Sequence, residues 1–145
     1  MAGYSFSVET RDFESAIGLF SKLTPRQIAE LGAMAGVELI KLSREAFGSQ
    51  RDPADGSAWR ASASEGHRGR STLRHTGRLM RSVKCKVEGS SVLAGSHLVY
   101  ARIHQEGGSA GRGRSVKIPR RRYLGHRKEW SKRFMRTLEV RRLFT

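Results

Sequence analysis

Apolar and polar positions alternate at the start of the chain. In Tyr4–Glu9 (YSFSVE) aromatic or aliphatic residues take turns with polar ones, the period of a half-buried strand. The period then lengthens. Phe13, Ile17 and Phe20 recur at helical intervals and predict a short helix over Asp12–Phe20. A longer helix follows, with Thr24 in the capping position before Pro25 and Gln27 completing a capping box. Ile28, Leu31, Ala35 and Leu42 share one face up to Gly48, which is expected to stop a helix about 35 Å long. Ala29, Gly32, Ala33 and Gly36 add a stripe of small residues, the pattern of an element packed closely against a neighbour.

Beyond Gly48 the periodicity is lost. Residues 48–72 are rich in Gly, Ser, Ala, Asp and Arg, with Trp59 as the one large apolar residue. They predict a long exposed loop, functional or ordered by a partner. Leu79–Val87 and Ser91–Ser96 predict two strands of a hairpin that turns at Glu88-Gly89-Ser90. His97–Gly108 (HLVYARIHQEGG) predicts a short helix or turn, Gly107–Ser115 a second flexible loop, and Val116–Ile118 a short strand ended by Pro119. In Lys128–Leu143, Trp130, Phe134 and Leu138 recur every fourth residue and predict a closing helix with a basic outer face. The expected fold is α+β: a small antiparallel sheet packed against a long α-helix, with long loops and a C-terminal helix. It is expected to form one domain over 1–145, with extended loops about 48–72 and 107–115.

Composition narrows the class. A length of 145 residues with 37% hydrophobic content suits one modest core. No run approaches the roughly 18 apolar residues that span a bilayer, and the best one, Leu31–Ile40, contains Glu38. The first thirteen residues lack the basic and apolar segments of a signal peptide, and Cys85 is the single cysteine, so a reducing, cytoplasmic origin is expected. Charge changes the picture more. Residues 1–50 hold five basic and six acidic side chains, whereas residues 51–145 hold 23 and seven, within a net charge of +15. Arginine supplies 21 of the 28 cations. Its planar fork suits phosphate and carboxylate, so the basic part is expected to face nucleic acid or acidic protein.

Candidate chemistry is sparse. His67, His75, His97, His104 and His126 form no HxxxH, HExxH or His–Cys spacing, so no metal or cofactor is expected. His104 with Glu106 is the most suggestive acid–base pair, but near neighbours on opposite sides of the backbone seldom converge, and no nucleophile elbow accompanies them. A nuclease or peptidoglycan hydrolase would rest on that pair and on charge alone, and no enzyme is expected. Arg112, Arg114, Lys117, Arg120, Arg121 and Arg122 place six cations in eleven residues. With no recognition helix, RNA-stacking motif or zinc finger beside them, they imply at most non-specific phosphate contacts. Six such contacts would give a log–log salt slope of about −5.

Four motifs then stand in order. Asp55-Gly56-Ser57-Ala58-Trp59 is similar to a "pDGxxW" signature, and Leu73–Val83 (LRHTGRLMRSV) to "LxxTGxLxxSi". Ala94-Gly95-Ser96 followed by Val99–Gly108 (VYARIHQEGG) resembles "vGs…YAxiHQxGg", and Ile118–Gly125 (IPRRRYLG) resembles "iPaRxfLG". Together, over roughly residues 50–126, they resemble the phage virion morphogenesis family, the tail completion proteins of Mu-like phages and prophages. The resemblance implies a structural virion protein of the tail or neck, assembled in the host cytoplasm, that acts in tail completion and head–tail joining. Its setting implies a homo-oligomeric ring, a hexamer, around the DNA channel. Expected partners are further copies and the head–tail connector, tail terminator or tail tube proteins, with packaged DNA as a non-specific contact and no membrane.

Trp59, Tyr100, His104, Gln105 and Tyr123 are then the candidate subunit or partner interface. The six clustered cations are candidates for DNA-channel or acidic-partner contacts, and the extra charge of Arg120-Arg121-Arg122 leaves both open. Within HLVYARIHQEGG, Tyr100, Ile103 and His104 are expected on one side of a helical turn, with Gln105 opening a loop. Tyr100 would anchor, and His104-Gln105 would bond backbone otherwise unpaired, so the segment reads as a brace. The rival reading is an independent, non-specific nucleic-acid-binding protein.

Overall fold

The computed structural model describes residues 4–8 (as backbone), 23–62, 71–89 and 91–125, together with 130, 134 and 136. Strand β1 (Tyr4–Val8) is followed by helix α1 (Pro25–Ser49). The capping box at its start is as predicted: the Gln27 amide donates to Thr24 Oγ1 at 3.3 Å and the Thr24 amide to Gln27 Oε1 at 2.8 Å. The other end differs. Gly48 lies inside the helix, and Gln50 takes the left-handed turn at φ 57° that glycine usually supplies. The Gln50 side-chain amide holds it there by donating to the carbonyls of Phe47 (2.6 Å) and Thr72 (3.1 Å).

Gly77 (φ 65°) turns the chain into α2 (Arg78–Ser82), and β2 (Lys84–Glu88) and β3 (Ser91–Ser96) form the predicted hairpin. The first half of the expected strand Leu79–Val87 is therefore helical. Leu79 and Ser82, three residues apart, both face inward, which a strand's two-residue period would forbid. The sheet is antiparallel in the order β1-β3-β2, with Phe6 opposite Ala94 and Cys85 opposite Ala94 on the other side.

The stripe of small residues explains how α1 lies on this sheet. A Cβ at Gly32 would come within 2.6 Å of Val87 Cγ1, and one at Gly36 within 3.1 Å of Cys85 Cβ. The Cys85 thiol donates to the Gly36 carbonyl at 3.3 Å. Leu31, Leu39, Ala46 and Phe47 of α1 then join Val92 and Ala94 of β3 in the core.

Two segments expected as loops carry more structure. Over 50–62 the chain folds back on itself: Arg51 bridges to Ala58, Gly56 donates to the Asp52 carbonyl (2.8 Å), and the Ser57 amide donates to Asp55 Oδ1 (2.7 Å). Asp52 and Trp59 are buried, and Trp59 meets Phe47 edge-on at 5.5 Å. After helix α3 (Ala101–Glu106), β4 (Gly108–Ala110) and β5 (Val116–Ile118) form a second hairpin, joined by a tight turn over Arg112–Arg114. Gly111 (φ 80°) and Gly113 (φ 67°) provide the left-handed positions that close it. Trp130 and Phe134 are helical, buried and stacked at 5.3 Å, as the closing pattern predicts. The expected helix Asp12–Phe20, residues 63–70, and the remainder of Lys128–Leu143 apart from the helical Arg136 lie outside the described residues. The fold is mixed α+β.

Candidate functional site: a clamped arginine hairpin

Two of the other motifs, through Trp59 and through Ala101, His104 and Gln105, converge on residues 121–125 of the fourth. Gln105 lies within α3, not in a loop, and its side chain points inward. Its Oε1 accepts from the amides of Tyr123 and Leu124, both at 3.0 Å, and its Nε2 donates to the Leu124 carbonyl at 2.8 Å. The Tyr123 hydroxyl donates to the Ala101 carbonyl at 3.2 Å, and Trp59 Nε1 to the Arg122 carbonyl at 3.0 Å. The Arg121 amide donates to the His104 carbonyl at 2.8 Å. Backbone that has left regular structure is thereby satisfied by side chains, as buried polar groups require. Tyr123 also packs its ring 5.4 Å from Phe47.

The brace expected in HLVYARIHQEGG is thus carried by Gln105. His104 contributes its carbonyl, while its ring sits edge-on to Tyr100 at 6.0 Å. His104 Nδ1 is buried and has no hydrogen-bond partner among the described residues. Burial, and after it the nearby Arg121 guanidinium, hold this imidazole below its ordinary pKa.

The proposed interface residues divide by depth. Trp59, Gln105 and Tyr123 are interior, with contacts to their own chain, whereas Tyr100 is exposed beside Val99, itself 78% exposed. The cation run divides as well. Arg121 is 5% exposed and donates from Nε to the Arg60 carbonyl (2.7 Å) and from Nη2 to the Ala61 carbonyl (3.3 Å), so it is a structural clamp and not a DNA-facing cation. Arg122 stands 3.6 Å from the buried carboxylate of Asp52. Arg112, Arg114, Lys117 and Arg120 remain exposed, on or beside the hairpin whose residues 111–117 are all exposed.

A buried hydroxyl pair escaped the sequence reading. Ser82 Oγ and Ser96 Oγ lie 2.6 Å apart, Ser82 Oγ is also within bonding reach of the Leu79 carbonyl (2.7 Å), and Ser96 Oγ accepts from the Leu98 amide (3.2 Å). Each serine lies within one of the quoted motifs, but only the packing of α2 beside β3 brings the two together. Among the described residues no three His, Cys, Asp or Glu side chains gather as a metal site would require, and no helix is long and apolar enough to cross a membrane.

With this geometry in place, comparison with known proteins decides the family. The model of the phage virion morphogenesis family matches residues 8–141. The chain belongs to the phage virion morphogenesis family. It is also similar to the Mu-like prophage FluMu G protein 2 of Haemophilus influenzae (strain ATCC 51907 / DSM 11121 / KW20 / Rd), with 45% identity over 49 residues. That match covers 34% of this chain and 36% of that protein, so it spans about a third of the relative's length. No solved structure matches the chain. Membership makes it a phage virion morphogenesis protein. Within such a protein, the motif residues Trp59, Gln105 and Tyr123 are parts of a frame that carries the arginine hairpin.

Proposed function

We propose that this chain completes the phage tail and joins it to the head, as a homo-oligomeric ring in the virion neck. The observation that carries the reading is the clamped root beneath an exposed cationic hairpin, in a member of a virion morphogenesis family. The motif side chains are used to hold backbone, and what they hold up is a projecting contact element. The uneven charge favours head-to-tail packing of copies, since a two-fold contact through the basic part would set like charge against like. Head-to-tail contacts close into rings, here a hexamer around the DNA channel. Tyr100 and Val99 are the exposed anchors for a neighbouring copy, with His104 and the buried Trp59, Gln105 and Tyr123 as their support. The ring meets the head–tail connector, the tail terminator or the tail tube, and is assembled in the host cytoplasm.

Deletion of the gene from a producing phage, with complementation, tests this. DNA-filled heads and finished tails should accumulate unjoined, and the complemented particle should show density for the chain at the neck. Normal yields of joined, infectious particles without it would overturn the reading.

A second reading, independent non-specific nucleic-acid binding, draws on the exposed Arg112, Arg114, Lys117 and Arg120. Saturable DNA binding by the purified chain that survives about 200 mM salt would favour it, because four phosphate contacts alone weaken steeply over that range.

A further inference from the structure

The β4–β5 hairpin has two unlike faces. Directly opposed residues in an antiparallel pair share a face, and successive pairs alternate. Gly108 with Ile118 and Ala110 with Val116 therefore form an apolar face, and Ser109 with Lys117 a polar one, where Lys117 Nζ donates to Ser109 Oγ at 2.9 Å. Val116 is 52% exposed on the apolar face. Beyond it the tip carries Arg112 and Arg114.

These cations are not neutralised at home. Elsewhere on the surface Arg26 pairs with Glu30 (3.1 Å) and Arg102 with Glu106 (2.9 Å), and Arg120 acts on the Asp55 carboxylate, but Arg112, Arg114 and Lys117 meet no carboxylate among the described residues. The tip is also built in advance. The Arg114 amide donates to the Gly111 carbonyl (3.0 Å) and Ser115 Oγ to the Arg112 carbonyl (3.2 Å), while Arg114 itself is held at φ 53°, a conformation its Cβ disfavours. A contact element prepared in this way loses little freedom on binding.

Resting on the reading of this chain as a joining protein, we propose that the hairpin docks on a different, acidic virion protein, in a groove with an apolar floor and a carboxylate rim. Phosphate would satisfy the arginines but leave Val116 and Ala110 against water or sugar-phosphate, gaining nothing from the apolar face. A groove in a protein takes both: the floor receives Val116, and rim carboxylates receive the guanidinium forks of Arg112 and Arg114. Another copy of this chain is the poorer seat, because each copy brings a net charge of +15.

Val116→Lys separates the two kinds of partner by sign. It adds a cation to the hairpin, which strengthens phosphate binding, and removes the apolar anchor, which weakens seating in a groove. The assay adds labelled full-length chain to DNase-treated tails, and separately to heads, purified from cells that lack the gene. Bound chain is then measured by co-sedimentation. Wild-type chain should bind one of the two. Val116→Lys and the double variant Arg112→Glu/Arg114→Glu should each bind about ten-fold less or worse, while both remain folded, with cooperative thermal transitions, because the altered side chains are exposed. Lys86→Glu, on the distant β2, should bind as wild type.

Equal or tighter binding by Val116→Lys assigns the hairpin to DNA and overturns the proposal. Loss of self-association in solution by the same variants, with tail and head binding intact, assigns it to a second copy and also overturns it. Failure of wild-type chain to bind either particle overturns the joining function itself and this inference with it. Wild-type binding that the hairpin variants leave untouched overturns the inference alone.

Discussion

Gln105 uses both ends of its amide on the backbone of Tyr123 and Leu124, and no solvent can replace it there because the residue is only 4% exposed. Gln105→Leu keeps the approximate volume and strands two amides and a carbonyl. It should cost about 3 kcal/mol or more, read as a lowered urea midpoint with unchanged slope. His104 makes a separate prediction. Its folded-state pKa lies below the ordinary value of 6.5, so between those two values the unfolded chain binds more protons. Stability should therefore fall as pH drops below about 6.5, and His104→Phe should flatten that part of the acid limb in thermal melts from pH 7.5 to 5. That Gln105 braces backbone was legible in its company, a polar pair between an apolar run and Gly-Gly. That Arg121 differs from Arg120 and Arg122 was not, because its partners are carbonyls of Arg60 and Ala61, 61 and 60 residues earlier in the chain.

Helix α1 contains three glycines with opposite duties. Gly32 has no room for a Cβ against the branched side chain of Val87, whereas nothing lies within 4 Å of the position a Cβ would take at Gly48. Gly32→Val should destabilise by about 1–3 kcal/mol through overpacking, and Gly48→Ala should stabilise by up to about 1 kcal/mol through helix propensity. Thermal midpoints of the two variants should move in opposite directions. At the root of the arginine hairpin, Gly107 has φ 78°, and a Cβ there would come 2.9 Å from the Arg120 amide nitrogen. Gly107→Ala should speed amide exchange across β4 and β5 while leaving that of α1 unchanged. Element type was legible wherever the period was long, as in α1 with its capping box. It was misread in Leu79–Ser82, where four residues are too few to distinguish a single helical turn from a strand.

On the scale of the whole molecule, charge is the governing quantity. A net charge of +15 on 145 residues opposes compaction through self-repulsion, and the exposed Arg112, Arg114 and Lys117 find no acidic partner among the described residues to relieve it. Salt shortens the range of that repulsion, from roughly 30 Å at 0.01 M to 8 Å at 0.15 M. The thermal midpoint of the isolated chain should therefore rise between these two salt concentrations. A fall would show that attractive pairs such as Arg122–Asp52 dominate. The same repulsion would be relieved by an acidic neighbour.

The amino-acid sequence by itself determined the α+β class, the long capped helix, the β2–β3 hairpin and the family, because period, capping chemistry and short motifs are local and survive without a neighbour. Only the tertiary structure decided which cations are free to meet a partner and which are spent inside. Burial is set by what lies across the fold: the turn over 50–62 supplies the carbonyls that fix Arg121 and the carboxylate that faces Arg122. The order of residues along 120–122 does not encode that difference, since three adjacent arginines have the same chemistry until packing assigns each its surroundings.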